Sequence, residues 1–299
     1  MGRSASIESR TMAKKEDRSI RLFQLSLFGG RDYELLTLLN DQLAGHRPMG
    51  KKTLLVMTPN PEQVVLTRNN SAFLRDLQSA DVLLPDGIGL IYASKILSRQ
   101  NNGRSLPQRL PGRSVVAQLL QTCAQNQYRV LVVGGRNLGE QLVFNHLGES
   151  DLYQLRSICP SYSGGTRNDQ HLSSEQWYWA EGYTTVAAPT VAQEQNLRAL
   201  IEQVMPDLVF VAFGAPYQEQ WLVQHQAFLE ENKVKLAMGV GGAFDVLTGA
   251  LSAPPAWMEK VGLEWAFRLW QQPRRWRRQL ALFQFVSLVL AQAFVKSTR

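Results

Sequence analysis

Short, uninterrupted apolar runs alternate along this chain with longer stretches of helical periodicity. Thr53–Thr58 (TLLVMT), Asp81–Leu84 (DVLL), Arg129–Val133 (RVLVV), Asp207–Phe213 (DLVFVAF) and Lys235–Val240 (KLAMGV) predict buried strands, and Leu152–Ile158 suits a further one. Between them the pattern predicts helices over Pro61–Leu77, Ile88–Leu97, Val115–Gln125 and Leu138–Leu147, and another from Pro216 to about Leu229. Asn60 is placed to cap the first of these, with Pro61 at its first position. Strands alternating with helices predict an α/β fold with a mostly parallel sheet and flanking helices. Ligands in such folds sit beyond the carboxyl ends of the strands. Thr58, Asp86, Gly134, Gly214 and Gly241 all fall at such ends.

Pro160–Gly182 is polar and aromatic without clear periodicity and reads as a loop or surface insertion. After Trp257 the character changes: two helical segments follow, broken near Pro273. The expected organisation is a flexible tail over 1–20, an α/β core over 21–250 and a basic helical appendage over 251–299. The N-terminal stretch is polar and lacks the apolar core of a signal peptide. Gly2 with Ser6 fits a short myristoylation pattern, but a loose tail is the simpler reading.

Composition supports a folded chain: 299 residues, 44% hydrophobic and 19% charged. Cys123 and Cys159 form no CxxC pair and the four histidines are scattered, so neither a disulfide framework nor a protein-bound metal is expected, and no cofactor is implied. Reduced thiols point to the cytosol. The formal charge of +7 changes the picture more. Lys260–Arg299 holds eight basic residues and one acid, Glu264, so this segment accounts for the whole net charge. Such a patch seeks anionic lipid, phosphate or nucleic acid. No nucleic-acid motif accompanies it, which disfavours the last. Leu280–Val295 is mostly apolar but only 16 residues long. A helix lying in or docking on a membrane interface suits it better than a spanning one. A buried helix in a homo-oligomer contact is the competing reading.

Several residues could carry chemistry. Asp86-Gly87 is an Asp-Gly turn, a common structural element, but it lies at a strand mouth where a carboxylate could take a proton from a sugar hydroxyl. Thr58 and Asn60 end the preceding strand. Arg109, in PQRLPGRS, offers a guanidinium fork that matches diphosphate oxygens. Small residues in Gly214-Ala215-Pro216 and Gly239-Val240-Gly241-Gly242 would let a ligand approach the backbone. Neither run has dinucleotide GxGxxG spacing, and there is no GxxxxGK[ST] loop.

Taken together, the blocks TPNPEQVVLTRNN, ADVLLPDGIGLIYASKIL, RLPGRSVVAQLL, VLVVGG, PDLVFVAFGAPYQEQW, GVGGAFDVLTG and GLEWAFRLWQQPRRWRRQ resemble the WecG/TagA/CpsF family of glycosyltransferases, in order from about Leu54 to Gln279. The resemblance implies a Rossmann-like core, no metal requirement, and an inverting enzyme. Such an enzyme joins an N-acetylmannosamine-type or related sugar to an undecaprenyl-diphosphate-linked sugar. It also implies residue roles: Asp86 as general base; Thr58 and Asn60 as polar active-site positions; Arg109 for the leaving diphosphate; and Gln218 from GAPxQE as a substrate contact. Arg268, Arg275 and Arg278 match appendage arginines that complete the site at the membrane, and Asp245 a contact to the nucleotide. Two features depart from the family pattern: Ser252-Ala253-Pro254 stands where members carry an arginine in an RAP run, and Pro160–Gly182 is longer than usual.

The expected function is transfer of a sugar from a UDP-sugar donor to a polyprenyl-diphosphate-linked saccharide acceptor by a peripheral enzyme on the inner face of the cell membrane, in cell-surface polysaccharide synthesis. Glucosyl or uronosyl transfer by the same apparatus is the nearest alternative. A catalytically silent membrane-associated nucleotide-binding protein is the rival from another class, and an oxidoreductase is a distant third.

Overall fold

The computed structural model describes residues 19–135, 156–157, 177–180, 182–247, 251–273 and 276–295. Its strands are β1 (Ser19–Leu22), β2 (Leu25–Phe28), β3 (Leu54–Met57), β4 (Val82–Leu83), β5 (Val130–Gly134), β6 (Arg156–Ser157), β7 (Trp177–Ala180), β8 (Leu208–Ala212) and β9 (Leu236–Gly239). Among the described residues β3 to β9 form one seven-stranded sheet in the order β4-β3-β9-β8-β5-β7-β6, parallel at every pairing. This is the α/β fold expected. The helices are α1 (Asp32–Leu43), α2 (Pro61–Asn69), α3 (Ser71–Ser79), α4 (Ile88–Ile96), α5 (Gly112–Asn126), α6 (Val191–Val204), α7 (Tyr217–Glu231), α8 (Ala243–Leu247), α9 (Ala256–Val261), α10 (Glu264–Gln271) and α11 (Trp276–Val295).

Side-chain alternation divides the core between the two faces of the sheet. Leu55 and Met57 of β3 join one cluster with α2, α3, α4 and α7; Leu54 and Val56 join the other with α1, α5 and α8. Strands covered on both faces need apolar residues at successive positions, which is why they stood out as runs. The C-terminal helix belongs to the first layer. Phe285 and Val289 of α11 are buried in it, and Phe285 meets Phe23 edge-on at 5.9 Å.

Three local expectations are corrected. The helix over Pro61–Leu77 is two, because Asn70 adopts extended backbone and its side chain accepts from Phe73 N–H at 3.0 Å, capping α3. The Pro160–Gly182 segment is not all loop: Trp177–Ala180 forms β7, with Trp177 and Trp179 buried. The tail stops short of residue 20, since Ser19–Leu22 pairs antiparallel with Leu25–Phe28. Alternating Ile20/Leu22 and Leu25/Leu27 signals that hairpin, but its turn holds Phe23 at φ 56° and carries no Gly, Asn or Asp. The helix expected over Leu138–Leu147 lies outside the described residues, as do Cys159 and residues 1–18.

Candidate active site

Three loops at the carboxyl ends of β3 and β4 and at the start of α5 are knitted by backbone hydrogen bonds. Leu84 N–H donates to Met57 O at 2.8 Å, Asp86 N–H to Pro59 O at 3.1 Å, and Leu110 N–H to Pro85 O at 2.9 Å. The Thr58-Pro59-Asn60, Pro85-Asp86-Gly87 and Arg109-Leu110-Pro111 segments are therefore tied to one another. Asn60 caps α2, accepting from Gln63 N–H at 3.0 Å. The Thr58 hydroxyl donates to Gly239 O at 3.3 Å, tying this unit to the end of β9. A Cβ on Gly112 would stand 3.1 Å from Thr58 Cγ2, so a glycine lets α5 begin against Thr58. The Gly112 N–H favours the ionised form of Asp86.

Gly87 at φ 103° makes the turn that ends at Asp86 and opens α4. Burial pushes the Asp86 carboxyl up from 3.8 to about 6; Glu264 adds to the rise, while Arg268, Arg109 and the Gly112 N–H oppose it. A carboxylate held there is a competent proton acceptor near neutral pH.

Two of those charges come from α10, and one glycine explains how they arrive. Gly262 has φ 77°, and a Cβ there would lie 2.5 Å from Ile88 Cγ2. α10 can therefore begin directly against the start of α4, two residues beyond Asp86. Glu264 and Arg268, one helical turn apart, share a face of α10. Glu264 Oε1 lies 2.9 Å from Arg109 Nη1, an ionic contact rather than an aligned hydrogen bond. Arg268 acts on Asp86. The assembled group is two carboxylates and two guanidinium ions, one of each from the core and one of each from α10. The sequence pointed to three of its members. Glu264 stands out in the sequence only as the lone acid of a basic segment.

A second group lies at the ends of β8 and β9. Gln218 is 2% exposed, and its Oε1 accepts from Gly214 N–H at 3.2 Å and Gly241 N–H at 2.9 Å. Its Nε2 donates to Glu219 Oε1 at 2.9 Å. The amide is thus engaged inside the protein, bridging the Gly214 and Gly241 loops. Glu219 is wholly buried, and that burial pushes its carboxyl to about 7. The Asp245 carboxylate lies against Gly242, where a Cβ would sit 2.8 Å from Oδ2. Arg275 lies outside the described residues; Arg278 falls on α11, but its side chain lies outside them too.

With this geometry in place, comparison with known proteins is decisive. The model of the glycosyl transferase WecG/TagA/CpsF family matches residues 34–299. The chain belongs to this family. Among its relatives are N-acetylglucosaminyldiphosphoundecaprenol N-acetyl-beta-D-mannosaminyltransferases. Those of Bacillus spizizenii and Bacillus subtilis are 29% and 28% identical, over 80% and 88% of this chain and 79% and 89% of their own. One from Staphylococcus aureus strain MRSA252 is 28% identical over 72% of this chain and 71% of its own. The family assignment makes the chain a glycosyltransferase. Its signature blocks converge on the two groups just described: TPN, PDG and RLPGR supply the first with GLEWAFRL, and GAPYQE with GVGG the second.

Proposed function

We propose that this glycosyltransferase moves an N-acetylmannosamine-type sugar from a UDP-sugar to a polyprenyl-diphosphate-linked acceptor sugar, with inversion, at a membrane surface. The relatives are named for transfer of an N-acetylmannosaminyl group to N-acetylglucosaminyldiphosphoundecaprenol. The observation that carries the reading is Asp86, a carboxylate with its acidity shifted toward neutrality at the mouth of a parallel sheet, within the field of Arg268 and Arg109.

In the proposed step an acceptor hydroxyl gives its proton to Asp86 as its oxygen forms a bond to the anomeric carbon. The bond from that carbon to the diphosphate breaks, and its electron pair leaves on UDP. Arg109 and Arg268 are placed to offset the departing charge. The Gly214 and Gly241 loops, held together by Gln218, form the donor side.

Membrane association rests on α11. The helix shows its Phe285 face to the core and leaves Leu280, Phe283, Val286, Leu290 and Phe294 exposed on the other. Trp270 and Trp276, in the arginine-rich stretch of sequence, are exposed as well. Among the described residues no helix is long and apolar enough to cross a membrane. An outer apolar face flanked by cations suits a helix lying in the interface of an anionic bilayer, and the cytoplasmic leaflet is the proposed location.

The experiment is UDP release from a panel of UDP-sugars with a polyprenyl-diphosphate-linked N-acetylglucosamine acceptor in lipid vesicles. Acceptor-dependent release with UDP-N-acetylmannosamine is expected. Release only with UDP-glucose or a UDP-uronate would move the donor assignment, and release with none would remove the proposed reaction.

A further inference from the structure

Arg109 belongs to a core loop, yet the carboxylate that meets it is supplied by α10, far along the chain. The contact is partly enclosed: the Arg109 and Glu264 side chains are 19% and 27% exposed. One turn on, the same helix face delivers Arg268 toward Asp86. Gly262 makes this delivery possible by letting the chain pass against Ile88. The geometry points to Glu264 as a positioning residue for the transfer reaction, one that holds the Arg109 guanidinium over the departing diphosphate. This rests on the reaction proposed above.

A guanidinium presents five N–H groups in a rigid fork, so pairing one arm with Glu264 leaves the other arm to meet phosphate oxygens. Without its partner the long Arg109 side chain regains rotamer freedom, and a displacement of about 1 Å at a reacting group can cost about 10²-fold in rate. Glu264 also has an electrostatic signature. The charged groups acting on Asp86 are Arg109 from the core, and Glu264 and Arg268 from α10. Of these Glu264 alone raises its pKa.

The test compares wild type, Glu264→Gln, Arg109→Gln and the double variant. Glu264→Gln is expected to lower kcat and kcat/KM together by about tenfold or more. It should move the acid limb of the pH profile to lower pH, and the double variant should be no slower than Arg109→Gln alone. A limb that stays in place, or rate losses that multiply, would overturn the assignment and leave Glu264 as helix packing. Glu264→Asp keeps the charge and shortens the reach, so it should lose rate with the limb unmoved; it also serves if the glutamine variant fails to fold. Titration of the Asp86 carboxyl by 13C NMR gives a readout independent of turnover. A wild type inactive on every UDP-sugar would sink the proposed reaction, whereas an Asp86 titration identical in wild type and Glu264→Gln would sink the role of Glu264.

Discussion

Arg109 and Glu264 meet at 2.9 Å across the seam between a core loop and helix α10, and Gly262 sets how closely that seam can shut. The pair ties α10 to the loop that carries Arg109. The negative charge of Glu264 also raises the pKa of the carboxyl proposed as the base.

Asp86 gains its proton at higher pH in the folded chain, near 6, than its ordinary value of 3.8. Between about pH 4 and 6 the folded state therefore holds a proton that the unfolded state has lost, and stability falls as pH rises through that window, by at most about 3 kcal/mol. The proposed base must be ionised, so kcat/KM should rise through about pH 6 to a plateau. Asp86→Asn should cut turnover by ~10²–10⁴-fold. The same variant should be as stable as wild type or more so at about pH 8, because a buried charge is gone. Turnover close to wild type would remove Asp86 from the role, and denaturant unfolding at two pH values checks the stability half.

Gly262→Ala should damage the site from a distance. The new methyl would meet the Ile88 side chain at 2.5 Å on backbone at φ 77°. Left-handed backbone costs a non-glycine residue about 1–2 kcal/mol, and overpacking adds about 1–3. The expected outcome is a lowered melting temperature together with a loss of transfer close to that of Arg268→Gln, since α10 carries both charges. Wild-type activity in Gly262→Ala would show that α10 need not dock so closely.

Gln218→Ala should act through the fold. It leaves the Gly214 and Gly241 N–H groups without their acceptor, at about 1–3 kcal/mol for each group left unsatisfied. Chemical denaturation should show this loss, and calorimetry should show weaker UDP binding as the two glycine loops separate. An unchanged unfolding midpoint would deny Gln218 the role of a clamp.

The two faces of α11 should respond differently. Phe283 and Phe294 are 75% and 71% exposed, whereas Phe285 is 3% exposed. Phe283→Glu with Phe294→Glu should abolish sedimentation with anionic phospholipid vesicles while shifting stability by less than about 0.5 kcal/mol per site. Phe285→Ala should cost about 3–5 kcal/mol in unfolding free energy, because it opens a cavity under the helix. Vesicle binding that survives the glutamate pair would place the membrane contact elsewhere. Truncating the chain before α11 is a poorer test, since it would also uncover the layer that Phe285 and Val289 complete.

The sequence by itself determined what depends on neighbours in the chain. Apolar runs marked β3, β5, β8 and β9 because strands covered on both faces need apolar side chains at every position. Asp86-Gly87 was legible as a turn and Asn60 as a cap because both use backbone within a few residues, and the ordered family blocks brought Arg109 and Arg268 into view. The β1–β2 hairpin escaped because Phe23 sits where a turn residue would normally signal it. Tertiary structure alone decided who faces whom. The partner of Arg109 is a glutamate from a helix that packs closely where Gly262 lacks a side chain, and the Gln218 amide oxygen joins its own Gly214 loop to Gly241, 23 residues on. A local pattern records how a segment covers its own apolar face and satisfies its own backbone. Which charge meets which is set when separate segments close over one another; that closure brought Glu264 beside Arg109, and burial shifted Asp86 toward neutral pH.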